Sequence, residues 1–345
     1  MSSQICLAGG GTGGHLVPNL ALYKAFSSRN LQPYFYIPNN SFDQEFCRLK
    51  NVRCKSMSFG KLAKGSRLTV LLKVLVSLLE VGFHFLKERP AKVFGTGGYG
   101  AFPIYFWAVI LRIPLFILEP NQVCGKVNRW FAPYAKLVFT AAGGVKGLEG
   151  VDNLVAAGNP LPYEDTVNLA GEPTLLVFGA SQGASAINRF MASWLDSLGG
   201  PLSFRVIWIT GRGEFEAYRG FADREGIDLY EFYGEMESLY RRSSLLLCRA
   251  GAGTISELKT FRVPAILIPY PHHADRQQYL NAEELVRSQA CLLVEESELP
   301  SLGPGSMILE LLLSPGRLER MKSNLPEMPR PAEIRKKIAD RILQN

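Results

Sequence analysis

The chain has 345 residues, about 2.3 times a domain of roughly 150, so two domains are expected. With 47% apolar and 20% charged residues, 33 Gly and 21 Pro, the composition excludes a disordered chain, a collagen repeat and a coiled coil. The charge, 38 Lys and Arg against 31 Asp and Glu, is +7 and favours anionic partners such as nucleotides, acidic lipid surfaces or nucleic acid.

The first element is an apolar run, Ile5-Cys6-Leu7-Ala8, followed by GGGTGG and a helical segment from 18 to 29. That order predicts a strand, a glycine turn and a helix, the entry unit of an α/β sheet. PYFYI at 33 to 37 reads as the next strand. LTVLLKVLVSLLEVGFHFL at 68 to 86 is a long apolar helix, but Lys73 and Glu80 within it argue against a span. Lys61, Lys64, Arg67, Lys73, Lys87 and Arg89 surround it, so it either rests on an anionic bilayer or covers a sheet. KVFGTG from 92 begins a strand with a second glycine turn, 104 to 118 reads as a buried helix and the strand LFIL, and LVFTA at 137 to 141 is a further strand.

After GNPLP at 158 to 162 the pattern restarts. TLLVFGASQGA at 174 to 184, RVIWITG at 205 to 211, LLLCRAGAGTISEL at 245 to 258 and AILIPY at 265 to 270 repeat the strand and turn units, and EIRKKIADRILQN forms a terminal helix. Continuous short apolar strands with helical returns predict parallel sheets covered on both faces. Six Cys lack paired metal spacing and read as reduced, buried thiols in a cytosolic compartment. The start of the sequence shows no signal-peptide pattern.

Gly9 to Gly14 satisfies G-x-G-x-x-G, yet no acid follows the second strand until Asp43, so a dinucleotide site is poorly supported, and no Gly-Lys-Ser/Thr marks a P-loop. Four glycine turns, at 9 to 14, 95 to 100, 179 to 183 and 251 to 253, nevertheless place backbone N–H groups at helix starts, where phosphate binds. His15 stands at the first turn and can act as a base near neutral pH or cap the helix. His84 reads as packing or surface. His272, His273 and Asp275 do not supply three convergent ligands, and no metal or cofactor is expected. Ser181 in GASQG has the spacing of a hydrolase nucleophile; His272 and His273 precede Asp275, the wrong order for that triad, although Glu257 or Glu237 as the acid would restore it. Ser181 and Gln182 serve equally as donors to phosphate or sugar.

GGTGGHLVP at 10 to 18, GTGGY at 95 to 99, GNP at 158 to 160, GASQGA at 179 to 184, CRAGAGTISE at 248 to 257 and HADRQQYLNA at 273 to 282 together make the chain resemble one family. It is the UDP-N-acetylglucosamine:undecaprenyl-pyrophosphoryl-N-acetylmuramyl-pentapeptide transferases of bacterial peptidoglycan synthesis. The resemblance covers about residues 4 to 290. It implies an α/β GT-B glycosyltransferase, two Rossmann-like parallel-sheet domains facing a central cleft. The N-terminal acceptor and membrane-associating domain would be 1–162, with the helix at 328–345 as a candidate addition, and the UDP-sugar domain 163–327.

The implied reaction is inverting transfer of N-acetylglucosamine from its UDP sugar to the 4-hydroxyl of lipid I, giving lipid II, at the cytoplasmic face of the inner membrane. Implied partners are UDP-N-acetylglucosamine, lipid I, anionic inner-leaflet lipids and other cell-wall synthesis proteins. Nucleic acid is set aside because aromatic and basic residues do not interleave. By the same resemblance, His15 is the base, with Glu119 as the alternative, and Thr12, Gly13 and Gly14 form the acceptor-side loop. Asn121 approaches donor sugar, Ser181 and Gln182 contact diphosphate or sugar, and Met236 covers uracil. Ala252 and Thr254 lie in the next loop, Glu257 binds ribose, and Gln277 and Gln278 bind the sugar. Pro162 stands where the family carries an arginine, so that diphosphate contact is expected to fall to Arg249 or another basic residue. A GT-B transferase with another sugar or acceptor, a non-catalytic nucleotide-sugar binder and a dehydrogenase are the rival readings.

Overall fold

In a computed structural model, the apolar runs become two separate parallel sheets; residues 4–58, 67–164, 171–179, 183–272, 275–301 and 303–345 are described. The first unit runs to Glu164 and is completed by a second segment, Pro329–Asn345. Its elements are β1 (Gln4–Ala8), α1 (Gly13–Ser27), β2 (Gln32–Pro38), α2 (Ser41–Leu49), β3 (Cys54–Met57), α3 (Arg67–Lys87), β4 (Lys92–Gly95), α4 (Phe102–Ile110), β5 (Leu115–Glu119), α5 (Lys126–Phe131), β6 (Leu137–Thr140) and β7 (Leu154–Ala156). The strand order is β3-β2-β1-β4-β5-β6-β7, all parallel.

The second unit, which runs to Met328, holds β8 (Thr174–Phe178), α6 (Ser185–Leu198), β9 (Arg205–Ile209), α7 (Phe215–Tyr218), β10 (Ile227–Tyr230), α8 (Met236–Arg242), β11 (Leu245–Cys248), α9 (Ala252–Phe261), β12 (Ala265–Leu267), α10 (Gln277–Arg287), β13 (Cys291–Leu293), α11 (Gly303–Leu313) and α12 (Pro315–Ser323). Its parallel order is β10-β9-β8-β11-β12-β13. The last helix, α13 (Pro331–Gln344), belongs to the first unit. In both sheets the first strand lies centrally, with its sequence neighbour on one side and a later strand on the other, so the order reverses beside β1 and beside β8. Loops at the carboxyl ends of strands at such a reversal form the ordinary ligand crevice of open α/β sheets.

Strand alternation divides the first unit's core into two layers. Ile5 and Leu7 of β1 pack with α1 and α13, whereas Cys6 and Ala8 pack with α3 and α4. Burial on both faces accounts for the continuous apolar character of β1. In α13, Ile334, Ile338 and Ile342 join this core, and the buried Arg335 donates to the carbonyls of Leu161 (2.7 Å) and Tyr163 (2.8 Å) and to Glu164 (2.6 Å). The segment after GNP is thereby bolted to the last helix of its own unit. In the second unit Leu175, Val177, Val206 and Trp208 pack under Ile187, Phe190 and Trp194 of α6.

Four strands are absent from the sequence reading: β3, β7, β10 and β13. They are the four sheet edges. Five of the six cysteines are buried and all six are free thiols, as expected, but Cys54 on β3 is exposed. Burial pushes the Cys6 thiol up to about 12, consistent with an inert core residue. His84 packs edge-on to Tyr34 and Tyr36 and meets Lys55 at 2.8 Å, the packing role expected of it.

Helix α3 is apolar on two sides. Ser77, Val81 and Phe85 are buried, and the Trp107 indole of α4 donates to the Leu78 carbonyl at 2.6 Å, so α3 is a layer helix on the sheet. Leu72, Val76, Leu79, Phe83 and Leu86, at helical spacing, face outward, with Leu79, Phe83 and Leu86 between 68% and 73% exposed. By length and composition α3 is also long and apolar enough to cross a membrane. Lys61 and Lys64, expected beside it, lie outside the described residues.

Candidate active site

The reversal point of the first unit brings the first two glycine turns together. Thr12 is the N-cap residue of α1, and Gly13, Gly14 and His15 form its first turn. The His15 Nδ1 atom lies 3.0 Å from the Thr96 carbonyl, and the Thr96 hydroxyl donates to the His15 carbonyl at 3.1 Å. A carbonyl only accepts, so Nδ1 carries the proton and Nε2 holds the lone pair. Burial lowers the His15 pKa below the usual 6.5, and the Thr96 bond opposes this in part; the ring is neutral at physiological pH. The lone-pair nitrogen faces Gly98, whose φ is +76° and where a Cβ would sit 3.0 Å from Nε2. Glycine is therefore needed both for the left-handed backbone and for the space in front of Nε2.

Asp43, dismissed as a ribose ligand because of its distance along the chain, has a different task. Its carboxylate accepts the Gly11 N–H at 2.7 and 2.9 Å and the Asn40 amide at 2.8 Å, while Asn40 caps α2 by accepting from the Asp43 N–H. Burial raises the Asp43 pKa, with the Asn40 and Gly11 bonds acting in the opposite direction. Asp43 thus holds the first glycine loop in shape from the neighbouring helix.

Glu119 differs from its expected role as an alternative base. It is 1% exposed, and its two oxygens accept from Asn121 N (3.0 Å), Asn121 Nδ2 (2.9 Å), Gly125 N (2.9 Å) and Asn128 Nδ2 (2.9 Å). A carboxylate offers about four acceptor positions, so these donors fill it. Its geometry is that of an anchor which orients Asn121. Asn128 also donates to the Leu118 carbonyl and accepts from Tyr105, whose hydroxyl in turn receives the Gly97 N–H at 3.0 Å. The loops following β4 and β5 are joined by this buried chain, and His15 is joined to it through the 96–98 turn.

In the second unit the reversal lies between β8 and β11. Gly183, at φ +80°, has no room for a side chain because a Cβ would meet the Thr210 carbonyl at 2.5 Å. Ser181 and Gln182 fall outside the described residues, as does His273. Met236 opens α8, Ala252 opens α9 and is buried with Thr254, and Gln277 and Gln278 open α10. Glu257 receives the Tyr240 hydroxyl at 2.7 Å. The Gln278 side-chain oxygen accepts the Tyr270 N–H at 2.9 Å, and Asn281 of α10 donates to the Ala250 carbonyl at 3.4 Å. These bonds bring the loops after β11 and β12 together. His272 is exposed and stacks edge-on to Tyr270.

Arg249, expected as one candidate for the missing diphosphate contact, is engaged within its own unit. Its buried guanidinium donates to the carbonyls of Ile268 and Pro269 at 3.2 Å, pairs with Glu296 and lies over the Tyr270 ring. It clamps the loop that leads to Gln277 and Gln278. Asp43, Asn128, Tyr105 and Tyr240 are the participants that sequence reasoning missed. A single signal was available: an acid close after the second strand of a glycine-turn unit.

Two parallel-sheet units, each gathering glycine turns, helix starts and polar side chains at its strand reversal, are the architecture of the GT-B glycosyltransferases. The glycosyltransferase family 28 N-terminal domain matches residues 5–140, and the family 28 C-terminal domain matches residues 174–342. The chain belongs to glycosyltransferase family 28. The UDP-N-acetylglucosamine–N-acetylmuramyl-(pentapeptide) pyrophosphoryl-undecaprenol N-acetylglucosamine transferase of Myxococcus xanthus is 31% identical over 98% of this chain and 91% of its own. Its namesake from Geobacter sulfurreducens is 32% identical over 95% and 94%. The crystal structure of Acinetobacter baumannii MurG superposes with a TM-score of 0.75 at 24% identity, covering 99% of each chain. A UDP-GlcNAc 2-epimerase from Neisseria meningitidis, solved with UDP-GlcNAc, has a TM-score of 0.69 at 12% identity over the whole of both chains. These two likenesses show the fold, which carries more than one reaction.

Proposed function

We propose that this protein transfers N-acetylglucosamine from UDP-N-acetylglucosamine to the 4-hydroxyl of the N-acetylmuramyl group of lipid I, with inversion, giving lipid II and UDP. The reading is carried by 31% identity across 98% of the chain to a transferase of that name. The acceptor hydroxyl loses its proton to Nε2 of His15, and Thr12, Gly13 and Gly14 position the acceptor. Asn121, held by Glu119, meets the donor sugar. Glu257 accepts from the ribose hydroxyls, Gln277 and Gln278 read the sugar, Ala252 and Thr254 line the diphosphate at the start of α9, and Met236 covers uracil. Ser181 and Gln182 join them by the family resemblance. Incubating folded protein with lipid I and labelled UDP-N-acetylglucosamine is expected to yield labelled lipid II. Protein that binds UDP and leaves lipid I unlabelled would sink the transferase reading.

The outward stripe of α3 supports peripheral attachment to an anionic bilayer at the cytoplasmic face of the inner membrane. A surface helix normally exposes its polar side, whereas this one exposes leucine and phenylalanine. Lys87, Arg89 and Arg112 are exposed at one end of the stripe, where Arg89 donates to the Leu111 carbonyl. Burying a leucine or phenylalanine side chain contributes about 1.5–3 kcal/mol. Replacing Leu79 and Phe83 together with aspartate should therefore weaken sedimentation with phosphatidylglycerol vesicles by about tenfold or more, leaving UDP affinity in solution intact. Undiminished vesicle binding by this variant would remove α3 from the membrane contact.

A further inference from the structure

The strongest unassigned feature is the end of a buried tyrosine. Tyr240 of α8 is fully buried, its ring stacked on Phe261 of α9 (centroids 5.1 Å apart, planes at 4°) and edge-on to Phe178 of β8 (6.0 Å, 88°). Three elements fix the ring, and a ring so held has little freedom to redirect its hydroxyl. That hydroxyl donates to Glu257 Oε2 at 2.7 Å. Glu257 lies on the second turn of a helix that begins at Ala252, immediately after the glycine turn of β11. It is partly exposed, so its carboxylate is held by the aromatic cluster and still open to solvent in part.

We infer that Tyr240 is a positioning residue for ribose recognition: its hydroxyl sets the rotamer of Glu257 so that the carboxylate meets the two ribose hydroxyls of a uridine diphosphate. The inference rests on the proposed UDP-sugar reading and deepens it. A glutamate side chain has three rotatable bonds, and fixing one oxygen against an immobile donor removes the freedom that ligand binding would otherwise have to quench. A carboxylate offers about four acceptor positions, so one tyrosine hydroxyl does not exhaust it. A tyrosine hydroxyl that merely satisfied its own burial would be indifferent to the ligand's ribose.

Tyr240→Phe removes the hydroxyl and keeps the stacked ring. UDP and 2′,3′-dideoxyuridine diphosphate are the probes, titrated calorimetrically against wild type and variant, with thermal melting as a check on folding. Wild type is expected to bind UDP more tightly than the dideoxy compound. The variant should lose about five- to tenfold in UDP affinity, the size of one ordinary hydrogen bond, and change by less than about twofold for the dideoxy compound. Equal losses for both ligands, or no loss for either, overturn the inference. So does a wild type that binds both equally, because Glu257 then reads no ribose. A folded wild type that binds no UDP overturns instead the functional reading beneath it. Glu257→Gln on the Tyr240→Phe background gives a second check: its effect on UDP affinity should be smaller than in wild type, since the two residues act as one unit.

Discussion

His15→Ala is expected to lower kcat on lipid I by about 10²- to 10⁴-fold while UDP affinity stays unchanged, the usual loss for a positioned general base. The argument is the tautomer: Nδ1 is spent on the Thr96 carbonyl, and the lone pair on Nε2 faces Gly98. His15→Asn separates the two duties of the ring, because an amide can keep a donor near the Thr96 carbonyl but cannot take a proton at neutral pH. If the asparagine variant turned over like wild type, His15 would be a loop tie and no base. Burial places the His15 pKa below 6.5, so the acidic limb of the pH–rate profile should inflect below that value and the rate should be level from about pH 7 upward. The stability linkage has the same direction. The neutral ring is favoured in the folded state, so its contribution is fully present above the unfolded value of 6.5 and is lost as pH falls through the lower folded value.

The second large effect belongs to Glu119. Glu119→Ala leaves the Asn121 N–H and amide, the Gly125 N–H and the Asn128 amide without their acceptor in a buried setting. An orphaned buried donor costs about 1–3 kcal/mol, and with partial relaxation the variant should lose about 3–5 kcal/mol in urea unfolding of the full chain. Glu119→Gln retains one oxygen but turns an NH₂ group towards two donors, so it should recover only part of this. Both variants should also lose transfer activity, since Asn121 and the Gly97 turn depend on the same network. An alanine variant as stable as wild type would show that Glu119 is not the anchor described.

Central strands were legible because burial on both faces writes an unbroken apolar run. β1, β5 and β8 are wholly or almost wholly buried and stand out in the sequence. The edge strands β3 and β7 expose residues on one side, and CKSM and LVA carry no such signal. The positions of His15 and Glu257 on helices that follow a strand and a glycine turn were legible in the sequence. Their supports were not. Nothing in LEPNQVCGKVN says that Glu119 turns inward to gather four donors, and nothing in CRAG says that Arg249 is consumed by carbonyls almost twenty residues later. Such roles depend on long-range pairing, which single-chain spacing does not encode. Asp43 is the intermediate case: its position after the second strand was visible, but its bond to Gly11, 32 residues earlier, was not.

The helix that closes the first unit has a consequence for biogenesis. Ile334, Ile338 and Ile342 complete a core whose other members, such as Ile5, Leu7 and Leu16, emerge from the ribosome more than three hundred residues earlier. At about 5–20 residues per second, that interval lasts from roughly 15 seconds to a minute. Throughout it, the faces of β1 and α1 that await α13 remain uncovered, although the second unit, continuous in sequence, can already fold. The half of the protein made first is therefore the last to be finished, and during translation it is the half most in need of a chaperone.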